Sequence, residues 1–343
     1  MKALVVTEEG RLTVEEIDRP EISERQALVK TVSCGICGTD ATIIRQAFKG
    51  FKPSHYPLVL GHEGVGEVVE VGAAVKSFKQ RPRHPSVRPQ SVEGRPTPAR
   101  RMGAFSEYGI VDDAAAYSPG EAPEAAAAQQ KLPRFIDKHE APVLVTLREV
   151  LSTIRYFGIR PGESVVVYGS GPVAMTFVKL LRLLGVDEVT AVVRSAKKAE
   201  LMKEFGAAAC IVSTEEDVKK QIRSHYPNGV AYVLDAVGSE SIINEGISLL
   251  RDRGEILCYG VPKVNHMELD WTDAPYNWKL NFQQMPYKEE EAACHEQVLE
   301  WVADGKLVLS DFISKMVGFE SVLDAFQEYL DGKTMKKVII TFE

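Results

Sequence analysis

The sequence predicts an α/β protein in two parts: a β-rich first stretch and a second stretch that builds a doubly wound parallel sheet. Three observations predict it. Residues 1 to about 145 carry short β-branched segments between glycine and proline punctuation. From about 160 to 262, short apolar strands alternate with helical apolar spacing, as in a parallel sheet covered on both faces. The first of those strands runs into a glycine turn that opens a helix.

In the first part, Ala27–Val32 and Gly66–Val71 read as strands. In the second, Glu163–Tyr168 is a buried strand and 172–184 a helix. Strands follow at Val189–Val193, Ala209–Val212, Ala231–Asp235 and Glu255–Cys258, separated by helices at 196–205, 215–225 and 240–250. A helix is expected near 288–304, and Lys337–Phe342 is a strand suited to return to the first part. Ala125–Ala128 reads as a short helix or linker. Between Gln80 and Arg101 lie six arginines and five prolines with almost no apolar periodicity, which reads as a solvated loop. No second feature supports a basic docking loop there.

Composition narrows the function classes. Apolar content of 45% and charged content of 26% are those of a soluble globular chain, and 343 residues suffice for two domains. A net charge of −7 argues against nucleic acid or an anionic membrane as partner. No apolar run approaches the ~18 residues needed to span a bilayer. Acidic Glu8 and Glu9 stand where an export signal would have its apolar run. Five irregularly spaced cysteines make a disulfide framework unexpected, and a reducing cytoplasm the natural compartment.

Two constellations carry chemistry. The first is Tyr168-Gly169-Ser170-Gly171-Pro172-Val173-Ala174, between a strand and a helix. Gly169 and Gly171 allow a tight turn and a close approach of backbone to pyrophosphate, and Ala174 takes the third small position. Alone the spacing is a weak signal; within a run of strand–helix units it marks a Rossmann dinucleotide site. After the second strand, where an acidic residue would bind the ribose of NAD, the chain reads Val193-Arg194-Ser195-Ala196-Lys197-Lys198. Arg194, assisted by Ser195 and Lys198, suits the 2′-phosphate of NADP(H), which is expected over NAD(H). The alternative is a solvated loop and helix start. The second constellation is Gly35-Ile-Cys37-Gly-Thr39-Asp40, followed 25 residues after the cysteine by Gly61-His62-Glu63-Gly64. Thiolate and imidazole are preferred zinc ligands, although either residue alone is more often structural.

With both motifs present, the chain resembles the zinc-dependent medium-chain dehydrogenases, and most of all their polyol and sorbitol dehydrogenase branch. The resemblance runs from Met1 to the Lys337-Val-Ile-Ile ending. It implies a GroES-like β-barrel catalytic domain over 1–146, completed by about 286–343, and a Rossmann domain over 147–285, with the active site in the cleft between them. It further implies that Cys37 and His62 ligate a single catalytic zinc with Glu63 beside the metal, that Thr39 relays a proton, and that Asp40 orients His62. The partner would be a small alcohol or carbonyl substrate, and a homo-oligomer is compatible with the resemblance.

Three departures stand against a routine assignment. An ungapped match of Ala141–Leu144 and Gly158–Gly162 puts Val145 where relatives carry the third zinc ligand. Glu63 is then the expected substitute, with Glu149 a weaker one; His139 and Glu140 lie too early unless there is a gap of about one turn. No cysteine occurs between Cys37 and Cys210, so a structural zinc is not expected. Thr42 stands where many relatives have a relay histidine. A zinc-independent reductase on the same fold, or a non-catalytic NADPH-binding protein, are the rival readings. Cys34 and Cys258 read as packing residues, Cys294-His295 as an incidental surface pair, and Trp271, Trp278 and Phe282 as packing by default, or else as lining for a cleft or subunit contact.

Overall fold

The computed structural model describes residues 1–78, 83–87, 103–262 and 264–343. Most of the arginine- and proline-rich stretch lies outside them, and the expected solvated loop with it. Its segment Arg83–Val87 is a strand instead of loop. Backbone contacts divide the chain into two compact units, Met1–Arg148 with Tyr287–Glu343, and Glu149–Pro286.

The first unit opens with β1 (Lys2–Val6), β2 (Leu12–Glu16), β3 (Gln26–Gly35), α1 (Gly38–Ile44), β4 (Leu58–Val59), β5 (Gly64–Val71), β6 (Arg83–Val87) and β7 (Tyr108–Asp112). β1 is flanked by β2 and β4. β3 pairs antiparallel with β5 and β7, and β5 with β6. α2 (Val143–Phe157) then carries the chain across the division.

The second unit alternates β8 (Val165–Tyr168), α3 (Pro172–Leu183), β9 (Val189–Val193), α4 (Ala196–Glu204), β10 (Ala209–Val212), α5 (Val218–His225), β11 (Val230–Asp235), α6 (Glu240–Ile247), β12 (Leu250–Cys258) and β13 (Trp278–Phe282). Its six strands lie in the order β10-β9-β8-β11-β12-β13, all parallel. β8, β9 and β11 are buried along their whole length, as the continuous β-branched runs require of a sheet covered on both faces. Val166, Val192, Val233, Ile243 and Ile256 form the centre of its core. Each such side chain contributes roughly 1.5–3 kcal/mol on burial.

The chain re-enters the first unit through α7 (Lys288–Ala292), α8 (His295–Ala303), β14 (Ile313–Gly318), α9 (Val322–Leu330) and β15 (Lys337–Thr341). β15 runs antiparallel to β3 with Ile340 opposite Cys34, and β14 lies parallel to β15. Leu4, Cys34, Ile36, Phe105, Phe326 and Ile340 share one core.

Some expectations shift. α5 starts at Val218 because the Asp217 carboxylate accepts the N–H of Lys220 and caps the helix there. α6 stops at Ile247, and β12 begins already at Leu250. The helix expected over 288–304 is two helices. Cys294 and His295, expected on the surface, are both buried, since His295 Nε2 bonds to the Lys131 carbonyl at 3.1 Å. Trp278 packs on the core of its unit, while Trp271 and Phe282 are exposed. Among the described residues no helix is long and apolar enough to cross a membrane.

Candidate active site

Strand register creates the first constellation. Cys34 pairs with Gly64 across β3 and β5, so the chain leaving β3 and the chain entering β5 run close together and bring two functional residues near each other. Those residues are Cys37 and His62. Gly61, at φ +99°, makes the turn into His62, and a Cβ there would meet the Phe105 backbone nitrogen at 2.6 Å. Cys37 caps α1 from its N-terminal side: its backbone N–H donates to Asp40 Oδ2 at 2.9 Å. Asp40, wholly buried, presents Oδ1 to His62 Nδ1 at 3.5 Å, which leaves Nε2 as the nitrogen to face a metal. Burial opposes protonation of His62, yet the Asp40 charge and the Cys37 thiolate outweigh it and raise its pKa well above the ordinary value.

Among the described residues, Cys37, His62 and Glu63 are the one group of three whose ligating atoms all lie within 4.8 Å of one another. Thiolate, imidazole and carboxylate are a donor set that fits zinc. Glu149, His139 and Glu140 are outside this group. Asp40 Oδ1 and His62 Nδ1, both buried, have no hydrogen-bond partner beyond their 3.5 Å approach to each other.

Glu63 has further partners that the sequence did not announce. Lys337 Nζ, at the start of β15, donates to both Glu63 oxygens at 2.7 and 2.5 Å. Thr146 Oγ1, from the first turn of α2, donates to Oε1 at 2.9 Å. Lys337 and Glu63 are only 3% and 1% exposed, so this is a buried ion pair in contact with the cluster. Gly35 makes room for it, because a Cβ there would meet Glu63 Oε2 at 2.3 Å. A carboxylate offers about four lone-pair sites, so Glu63 keeps capacity for a metal but would share its oxygens between the ion, Lys337 and Thr146. Val145, next to Thr146, is buried and offers no donor.

Thr39 Oγ1 lies 3.9 Å from Cys37 Sγ, within reach of the same point. The Thr42 hydroxyl donates to the Gly38 carbonyl at 3.1 Å and is spent on the helix backbone. Tyr329 of α9 approaches too: burial first, then the charges of Cys37, Asp40 and Glu63, push its hydroxyl pKa far upward. Only the position of Lys337 at the head of an apolar run hinted at a buried cation; nothing local marked Thr146 or Tyr329.

The second constellation sits where β8 and β9 end. Gly169 adopts φ +125°, and Gly171 is the N-cap of α3 with Pro172 at the first helical position. No side chain caps α3, so the N–H groups of Val173 and Ala174 face an incoming anion. A Cβ on Gly171 would meet nothing within 4 Å, so no protein atom demands glycine there. A dinucleotide approaching the backbone would. After β9, Arg194 is exposed, and neither it nor Lys198 has an ion-pair partner among the described residues. Ser195 caps α4 by position, but its hydroxyl makes no capping bond.

Known proteins place this arrangement. The sequence model of the alcohol dehydrogenase GroES-like domain matches residues 23–118, and that of the zinc-binding dehydrogenase matches 172–301. An alcohol dehydrogenase of Geobacillus stearothermophilus is 31% identical over 77% of this chain and 78% of its own. D-xylulose reductase A of Aspergillus oryzae is 28% identical over 96% and 94%. Two solved structures share the fold. One, from Escherichia coli CFT073 and described as a short-chain alcohol dehydrogenase complexed with NADH, has a TM-score of 0.81 at 22% identity over 100% and 99% of the chains. The other, a putative zinc-binding dehydrogenase of Sinorhizobium meliloti 1021 bound to NADP, has a TM-score of 0.79 at 22% identity over 99% and 98%. The expected pairing of a GroES-like domain with a Rossmann domain is thus borne out, and the chain belongs to the zinc-type medium-chain dehydrogenase family as an alcohol or polyol dehydrogenase.

Proposed function

We propose that this enzyme transfers a hydride between NADP(H) and an alcohol or polyol, or its carbonyl counterpart, using a catalytic zinc held by Cys37, His62 and Glu63. The convergence of those three donors within 4.8 Å carries the reading. A zinc held there would supply Lewis acidity to a substrate oxygen, and a bound nicotinamide would supply the hydride chemistry. The chain's own groups do the rest. Asp40 fixes the His62 ring, Thr39 Oγ1 passes the hydroxyl proton away, and Lys337 balances the charge of Glu63. Thr42, bound to Gly38, is no relay base, so the proton continues through water or ribose. The name of the D-xylulose reductase relative favours a polyol and ketose pair as substrate class.

Support for NADP(H) comes from Val193, Arg194, Ser195 and Lys198. Buried Val193 offers no acceptor to a ribose hydroxyl, while the neighbouring cations are unspent. Parallel screens of polyols and ketones with NADPH and NADH test the proposal. Turnover faster at low NADPH than at low NADH is expected; equal or tighter NADH use removes the NADP(H) assignment. A zinc-independent reductase is the competing reading, favoured by Val145 and by the Lys337 grip on Glu63. Activity that survives complete loss of metal decides for it.

A further inference from the structure

The exits of β8, β11 and β12 are locked together by backbone contacts. Ala236 N–H donates to the Tyr168 carbonyl at 3.1 Å, and Tyr259 and Gly260 donate to the Asp235 carbonyl at 3.1 and 2.9 Å. A Cβ on Gly260 would meet Gly238 N at 2.0 Å, so the second and third loops touch. A Cβ on Gly169 would meet Val237 Cγ2 at 3.3 Å and Ala236 Cβ at 3.6 Å, so the middle loop also forms a wall of the glycine turn.

One carboxylate organises that middle loop. Asp235, the last residue of β11, is 1% exposed. Its Oδ1 accepts the N–H groups of Val237 and Gly238 at 2.8 and 2.9 Å, and Oδ2 accepts that of Ser239 at 2.9 Å. Burial raises its pKa and these three bonds pull against that rise. The loop it holds presents Val237, half exposed, beside the Gly169 turn. A buried charge held wholly by three consecutive amides of one loop costs stability unless the loop geometry itself is needed.

We infer that Asp235 is a positioning residue for cofactor binding: by gripping residues 237–239 it sets the Ala236–Val237 wall against which the Gly169–Gly171 turn receives the dinucleotide. This rests on the reading of that turn as the cofactor site. The inference touches no zinc ligand, and all its contacts lie within Glu149–Pro286.

The test is steady-state kinetics with NADPH and NADH on purified full-length protein, with direct fluorescence titration of the reduced cofactor. Asp235→Ala removes all three acceptors, whereas Asp235→Asn keeps Oδ1 for Val237 and Gly238. The cofactor KM and Kd should rise about tenfold or more in Ala and about threefold in Asn, with kcat at saturating cofactor and the KM for alcohol near wild type. A merely structural role would lower the melting temperature and the active fraction while leaving cofactor KM unchanged. That result, or tighter binding in Asn, overturns the inference. If Asp235→Ala does not fold, the Asn variant alone decides by the same readout. Wild-type protein is titrated first: no binding there overturns the reading of the turn and the positioning role with it, whereas wild-type binding with unchanged cofactor KM in the variants overturns the positioning role alone.

Discussion

Glu63 and Lys337 are 274 residues apart in the chain, yet their ion pair abuts the proposed metal ligands. Removing one partner of a buried pair leaves an uncompensated charge and typically costs about 3–5 kcal/mol. Lys337→Met should therefore destabilise metal-free protein by that order in urea unfolding. Because Glu63 then lacks its cation, added zinc should raise the melting temperature more in this variant than in wild type. An equal zinc effect in both would show that Glu63 does not ligate the ion. At the other constellation, Arg194 offers a charge-assisted hydrogen bond worth roughly 1.5–3 kcal/mol to a 2′-phosphate. Arg194→Ala should weaken NADPH about tenfold and NADH little, and salt should weaken NADPH binding more steeply in wild type than in the variant. Titrations in which both cofactors weaken together would leave Arg194 as a solvated loop residue.

The turn from β8 into α3 contains two glycines with different reasons to be glycine. Gly169 needs its φ of +125°, which strains any other residue, so Gly169→Ala should cost about 1–3 kcal/mol of stability. Gly171 has φ −85° and open space around its missing Cβ, so Gly171→Ala should change stability by less than about 0.5 kcal/mol. It should nonetheless weaken cofactor binding about tenfold, since the methyl stands where a pyrophosphate approaches the backbone. Thermal melts and cofactor titrations on the two variants should thus give opposite rankings. This element was legible in the sequence, because a buried β-branched run, glycine spacing and the following helix are all local signals. The same local reading erred at α7 and α8. Charged Glu289–Glu291 and Glu296 suggested one surface helix, but a buried seam through Cys294 and His295 lies within it. Its partner is Lys131, 164 residues away, and no local pattern reports such a contact.

At the scale of the whole chain, that seam makes the first unit acid-sensitive. His295 is held neutral, its pKa pushed down to about 4 by burial and then by the charge of Arg148, against 6.5 for a free histidine. The unfolded chain takes up this proton as pH falls below 6.5 and the folded chain does not. Stability should therefore drop by up to about 3 kcal/mol between pH 6.5 and 4 from this group. His295→Gln keeps a donor for the Lys131 carbonyl, so its melting temperature should fall several degrees less over that range; parallel curves would refute the assignment. The architecture and the Cys37–His62 pair were legible because alternation, helical spacing and glycine motifs lie within short windows. The surroundings of Glu63 were not, because β15 and α2 reach it from distant positions. The central claim is that Cys37, His62 and Glu63 hold one catalytic zinc. It is tested most directly by zinc per chain, measured alongside alcohol turnover, in wild-type and Cys37→Ser protein purified without chelator. About one zinc per wild-type chain, lost together with activity in Cys37→Ser, is the result expected of three protein donors that leave the fourth zinc position open to substrate. A wild-type enzyme that turns over while carrying no zinc, or a Cys37→Ser variant that keeps both metal and rate, would contradict it.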